Sequence, residues 1–158
     1  MHVSALIPKE LCLYDYQNDR EDFAGVSSHS AQIKTGDLFI LIKGETYNPL
    51  MLLKQIEASG AKGIVLEWEE DLPKISLPCY FVKSARAAEA FAFAALYRKE
   101  LASLRFIGVT GTNGKTTTAQ ILAHILNAKE KTGYLGTLGA SIDGKVLEET
   151  KHTTMTTP

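Results

Sequence analysis

The chain has 158 residues, 45% of them hydrophobic and 22% charged, with a formal net charge of -1. That is length enough for one good domain or for one domain and part of another, with ordinary globular composition. The near-neutral balance gives no electrostatic case for nucleic acid or an anionic membrane surface as the main partner. Cys12 and Cys79 show no metal-ligand spacing, so a reducing compartment, the cytoplasm, is expected. The first stretch carries Lys9, Glu10 and Asp15 and does not read as a signal peptide. The longest apolar run, Ala90 to Tyr97, is far short of the roughly 20 residues of a membrane span.

Residues 1–20 read as a helical or irregular lead-in, with Pro8 near a helix start and Leu11, Leu13 and Tyr14 available for packing. Phe23 to Ser30 reads as a strand entering a polar turn. Lys34-Thr35-Gly36-Asp37 is a tight turn that delivers a buried strand over Leu38 to Ile42, stopping at Lys43-Gly44. Pro49 suits the first turn of a helix through Leu53, Ile56 and Ala58, which Gly60 ends. Strands follow at Gly63–Glu67 and Cys79–Val82. The acidic group Glu67, Glu69, Glu70 and Asp71 reads as a solvated loop face. Ser84 is placed to cap a helix from about Ala85 to Glu100, apolar almost all round and therefore expected between layers. Strands alternating with helices at short spacing argue for an α/β layer with parallel pairs.

A second strand–loop–helix unit starts near 103, giving expected domains at 1–102 and 103–158. Leu104 to Ile107 is short, apolar and β-prone; Ala119 to Leu126 is helical; between them stands Gly108-Val109-Thr110-Gly111-Thr112-Asn113-Gly114-Lys115-Thr116-Thr117-Thr118. Backbone N–H groups in such a turn can wrap a phosphate chain at a helix N-terminus. Gly111 and Gly114 remove the Cβ atoms that would block the approach. Lys115 can set a point charge on the β/γ-phosphates, and the Thr116 hydroxyl suits Mg²⁺. The strict P-loop spelling wants glycine where Val109 stands, so the general pattern fails by one residue. Gly111 to Thr117 is nevertheless expected to hold a nucleoside triphosphate. Thr132 to Leu138 reads as the next strand, and Asp143-Gly144 marks a hairpin.

These residues resemble the Mur ligase family, the ATP-dependent enzymes that extend the peptide stem of the bacterial cell-wall precursor. The phosphate loop carries the likeness, with Gly36-Asp37-Leu38-Phe39 and Lys43-Gly44 upstream and Gly136-Thr137-Leu138-Gly139 and Thr156-Thr157-Pro158 downstream. The last two point to the branch that adds the third stem residue, diaminopimelate or lysine. The resemblance implies an α/β fold: an N-terminal domain binding the UDP precursor, then the first part of a P-loop ATP-binding domain. It implies substrate contacts from Val26 and Ser28 at the uridine end and from Glu45, Thr46 and Tyr47 near the diphosphate. Thr156 and Thr157 would hold the muramoyl-dipeptide. ATP would be held by Gly111, Thr112, Asn113, Gly114, Lys115, Thr116 and Thr117, with Thr116 on Mg²⁺ and Lys115 as the catalytic cation. The family often has Asp-Ser-Arg where this chain has Ser27-Ser28-His29.

The implied reaction is amide formation. ATP converts the D-glutamate carboxylate of UDP-N-acetylmuramoyl-L-alanyl-D-glutamate to an acyl phosphate, which the incoming amino acid's amine attacks. The chain is expected to be an N-terminal piece of a longer cytoplasmic, monomeric enzyme and to be inactive alone. Two rivals stay open: a ligase like folylpolyglutamate synthase, and a non-catalytic nucleotide-binding module.

Overall fold

The computed structural model describes residues 1–16, 19–43, 52–67 and 75–148, with Glu148 described by its backbone only. The chain divides into two compact units, Met1–Leu104 and Arg105–Pro158.

The first unit is built on a four-stranded parallel sheet in the order β1-β2-β3-β4. Its strands are β1 (Val26–Ser27), β2 (Leu38–Ile40), β3 (Gly63–Glu67) and β4 (Cys79–Val82). β3 sits inside the sheet and is a continuous apolar run, Ile64-Val65-Leu66, all three buried, as a strand covered on both faces requires. Alternation along β2 serves the two faces. Leu38 and Ile40 join the cluster built on α1 (Val3–Leu6) and α3 (Ala85–Leu96), while Phe39 and Leu41 join the cluster around α2 (Leu53–Ala58). α2 buries Leu53 and Ile56 and ends before Gly60, whose φ of 93° only glycine adopts at little cost.

The β4 side of the sheet is covered by the lead-in. Cys12 bridges antiparallel to Val82, the Leu13 N–H donates to the Phe81 carbonyl, and the Phe81 N–H donates to the Tyr16 hydroxyl at 2.8 Å. This explains why the opening residues are mostly not helical. Their backbone groups go to the sheet, and Pro8 follows the helical turn Val3–Leu6 rather than starting one.

Three further expectations need correction. The strand expected over 23–30 shrinks to Val26–Ser27; Phe23 instead packs into the core, with its ring edge-on to Tyr80. The helix expected over 85–100 is two, α3 and α4 (Arg98–Ala102), breaking at Tyr97. Its burial is one-sided: Ala85, Ala88, Glu89 and Ala92 are inside at helical spacing, while Phe91 is half exposed.

The second unit contains α5 (Lys115–Asn127) and an antiparallel sheet of β5 (Gly133–Gly136), β6 (Gly139–Ile142) and β7 (Lys145–Glu148). The β6–β7 turn has Asp143 at φ 54° and Gly144 at φ 73°, the paired positive angles of the tight hairpin that Asp-Gly signals. The strand expected over 104–107 is not formed. Strands need ladder partners, and among the described residues none pairs with this segment; Phe106 is 73% and Ile107 61% exposed.

Candidate functional site

The phosphate-loop residues lie together in the second unit. Gly111 has φ 147° and Gly114 φ 74°, conformations that residues with a Cβ rarely take, so the sequence spends its glycines where the backbone turns. Gly114 is the N-cap of α5, and no side chain caps that end. The free N–H groups of a helix N-terminus carry the positive end of its dipole. No acidic residue stands in the first turn to offset it; Lys115 stands there instead, adding a cation where one is electrostatically unfavourable. Positive charge gathered at an uncapped helix start is the arrangement that favours a bound anion.

The Lys115 ammonium donates to the Gly111 carbonyl at 2.6 Å, folding back over the loop from within. Thr116 Oγ1 lies 3.3 Å from Thr137 Oγ1, just past the end of β5. Lys115, Thr116 and Thr137 share the lining of a cleft of roughly 390 Å³, which runs between α5, β5 and the 105–109 segment. Arg105 pairs with Glu130 at this unit's surface, and the Thr132 N–H donates to Asn127 Oδ1 at 2.9 Å, tying the end of α5 to β5. Among the described residues no three His, Cys, Asp or Glu side chains gather as a metal site; the side-chain oxygens lining the cleft are hydroxyls, among them those of Thr116 and Thr137. Of Gly111 to Thr117, Lys115 and Thr116 line this cleft, and Thr137 is a neighbour that sequence spacing did not single out.

Ser28 follows the last residue of β1, at the carboxyl end of a parallel strand, the side on which open α/β sheets take ligands. β1 pairs Ser27 with Phe39, so Ser28 emerges half-buried where the strand ends. Val26 is different: its side chain belongs to the core with Leu38 and Ile40, leaving only its main chain for any ligand contact. Ser27 Oγ donates to the His29 carbonyl at 3.1 Å and shapes the turn, while His29 itself is exposed. Glu45, Thr46, Tyr47, Thr156 and Thr157 lie outside the described residues.

Glu67 is exposed at the end of β3, as a solvated face requires, and also has a structural task; Glu69, Glu70 and Asp71 lie outside the described residues. Glu67 Oε1 accepts the Ala85 N–H at 2.9 Å, and Ser84 Oγ accepts the Ala87 N–H at 3.3 Å, so the N-terminus of α3 is closed by two protein oxygens. The Ser84 cap was legible from its position before the helix. The carboxylate, 18 residues upstream, was not.

Comparison with known proteins agrees with this arrangement. Residues 109–158 match the Mur ligase middle domain. The chain is 34% identical over 147 residues to UDP-N-acetylmuramoyl-L-alanyl-D-glutamate--2,6-diaminopimelate ligase of Bacillus cereus, covering 90% of this chain and 29% of that protein. It is 37% identical over 146 residues to UDP-N-acetylmuramyl-tripeptide synthetase of Deinococcus radiodurans, covering 91% and 29%. A diaminopimelate ligase of Chlorobium phaeobacteroides is 40% identical over 114 residues, covering 71% and 22%. The chain therefore spans less than a third of the length of these relatives. The phosphate loop, the matched domain and the relatives agree: residues 109–158 match the Mur ligase middle domain, and the chain is similar across most of its own length to ligases of cell-wall precursor synthesis.

Proposed function

We propose that this chain carries the precursor-binding unit and the phosphate loop of an ATP-dependent ligase, one that adds the third amino acid to UDP-N-acetylmuramoyl-L-alanyl-D-glutamate. The observation that carries the reading is the loop Gly111–Lys115: two positive-φ glycines opening on an uncapped helix that starts with lysine. The residues fit a nucleotide. A Cβ at Gly114 would meet nothing within 4 Å, so the approach to the N–H groups of α5 is open. Thr116 is a fitting single protein oxygen for a Mg²⁺ ion that otherwise keeps phosphate and water ligands. Bound Mg-ATP would supply the phosphoryl group that activates the D-glutamate carboxylate for attack by the amine.

The chain's own residues bind and orient. Lys115 leaves the Gly111 carbonyl and turns its charge to the phosphates, and Gly111, Thr112, Asn113, Gly114, Thr116 and Thr117 supply donors around them. Preorganised positive charge of this kind acts where negative charge builds up in the transition state. Ser28 and the Val26 main chain meet the uridine end, residues 45–47 the diphosphate, and Thr156 and Thr157 the muramoyl-dipeptide. The relatives' names favour the cell-wall precursor over a folate substrate. Such a role connects the protein to cell-wall growth, cell shape and division. It also places the protein as a monomer in the cytoplasm, where the unpaired Cys12 and Cys79 are maintained as thiols. Among the described residues no helix is long and apolar enough to cross a membrane. The chain alone is expected not to catalyse, to bind ATP weakly and to keep weak affinity for the uridine end of the precursor.

The test is a pair of titrations followed residue by residue by NMR. Mg-ATP should shift residues 111–117, and UDP-N-acetylmuramoyl-dipeptide should shift residues 26–28. Lys115→Ala should weaken the first by about 100-fold, in line with the roughly 3 kcal/mol such charges contribute, and leave the second within a few-fold. An ATP response without any response to the UDP compound would favour a nucleotide-binding module instead. An unchanged ATP affinity in Lys115→Ala would refute the loop assignment.

A further inference from the structure

The contact between Thr116 and Thr137 joins two elements that the nucleotide reading uses separately. Thr116 is on the first turn of α5, and Thr137 follows the last residue of β5. Their hydroxyl oxygens are 3.3 Å apart, and both residues line the one cleft. The path of the chain into Thr137 is itself packed. The Tyr134 phenol lies over Gly136, where an added Cβ would stand 2.3 Å from its oxygen and 2.8 Å from Cζ.

We propose that Thr137 is a positioning residue for the cation that accompanies the nucleotide, acting through Thr116; the proposal rests on the nucleotide reading above. A hydroxyl that ligates a cation gives it a lone pair and must turn its own proton away. That proton needs an acceptor; the pair is exposed in the empty protein, and a bound nucleotide would displace the water that otherwise serves. Thr137 Oγ1 is the acceptor within reach. In the empty protein either oxygen can donate. Once a cation sits on Thr116, the direction is fixed: Thr116 donates and Thr137 accepts, which holds the Thr116 lone pairs on the cation. Groups that orient a metal ligand in this way typically change metal affinity 10–100-fold when removed. The 3.3 Å separation is long for a hydroxyl pair and points to the lower end, about tenfold.

The experiment measures ATP affinity of the chain by NMR titration, once in MgCl₂ and once in EDTA, for the wild type, Thr137→Val and Thr137→Ser. Valine keeps the shape and removes the acceptor; serine keeps the acceptor. The ratio of the two affinities is the metal preference. Thr137→Val should lose about tenfold of that ratio and Thr137→Ser should retain it, with equal affinities in EDTA for all three. Mn²⁺ in place of Mg²⁺ gives a second readout: broadening centred on residues 115–117 should need about tenfold more metal in Thr137→Val. A wild-type metal preference in Thr137→Val overturns the proposal. So does an equal loss in MgCl₂ and EDTA, which would mark a merely structural residue. A wild-type chain that binds no ATP in either buffer overturns the nucleotide reading, and this proposal with it.

Discussion

Gly114→Ala separates what the phosphate loop costs the protein from what it does for a ligand. Residue 114 has φ 74° and is the N-cap of α5. An alanine Cβ there would meet nothing within 4 Å, so no clash contributes and the whole penalty is backbone. Holding an L-residue in the left-handed region costs about 1–2 kcal/mol, with a few tenths more because alanine caps less well than glycine. The Thr118 N–H donates to the Gly114 carbonyl at 2.9 Å, closing the first turn, so it reports the change directly. Its hydrogen exchange should speed up about 5–30-fold, the population shift that 1–2 kcal/mol makes. Gly114→Asn is the control, since asparagine tolerates this region and can cap a helix. Its Thr118 exchange should stay within about 3-fold of wild type, the shift of a few tenths of a kcal/mol that Asn and Gly caps differ by. Any Cβ at 114 narrows the approach to the helix N–H groups, so both variants should lose ATP binding. Stability should rank asparagine above alanine while ATP affinity falls in both. Wild-type exchange at Thr118 in the alanine variant would refute the backbone argument, and wild-type ATP affinity in the asparagine variant would refute the close approach of phosphate.

Gly63→Ala should destabilise the first unit. The new Cβ would stand 2.8 and 3.0 Å from Phe23 ring atoms and 3.1 Å from Tyr80, both 2% exposed and without room to give. Overpacking of this kind costs about 1–3 kcal/mol, or roughly 5–20 °C in melting temperature for a unit of this size, and Phe23→Leu should return part of it; an unchanged melting temperature would sink the argument. Asp22 pairs with the Met1 ammonium, whose hydrogen bond and charge hold its carboxyl below the usual range. Its folded pKa is depressed, so its contribution is present above the ordinary carboxylate value of about 4 and is lost as pH falls through the lower folded value. NMR titration of Asp22 should show the low value and its return to normal on N-terminal acetylation; an ordinary value in the unmodified protein would contradict the pairing.

Legibility in the sequence followed the range of the interactions. β3 and β4 were readable to the residue because apolar runs bounded by Gly, Pro and Ser fix them locally. The Asp143-Gly144 hairpin and the Ser84 cap were readable for the same reason: the residue that decides the conformation sits at the conformation. What failed depended on partners far along the chain. The opening residues are claimed by the edge of β4, some 70 positions away, a separation written in no local pattern; Lys83 Nζ, for one, donates to the Glu10 carbonyl across 73 positions. Phe23 looked like a strand residue and is a core anchor because Gly63 leaves space for its ring. Leu104 to Ile107 has the composition of a strand without a ladder to join. At the candidate site the glycines and Lys115 were picked out by their spacing, and Gly111 and Gly114 have the positive φ that such a turn uses. Thr137 was not, because its closeness to Thr116 spans 21 positions and exists only after β5 is in place.

The two long helices show how one local device is used in opposite ways. Both α3 and α5 begin with free N–H groups and the positive end of a dipole. At α3 the protein fills that end itself, with Ser84 on one N–H and the Glu67 carboxylate on another, so the helix start is neutralised and serves the packing of Ala85, Ala88 and Ala92. At α5 the residue in the capping position is a glycine, the first turn has no acid, and the nearest side chain adds positive charge. Lys115 meanwhile donates to its own loop's carbonyl, a neutral acceptor that a phosphate oxygen outcompetes as a charge-assisted partner. A sequence selected for stability alone would have treated α5 as it treated α3. That it did not is the physical reason to look for an anion at Gly111–Thr117 rather than at the start of α3.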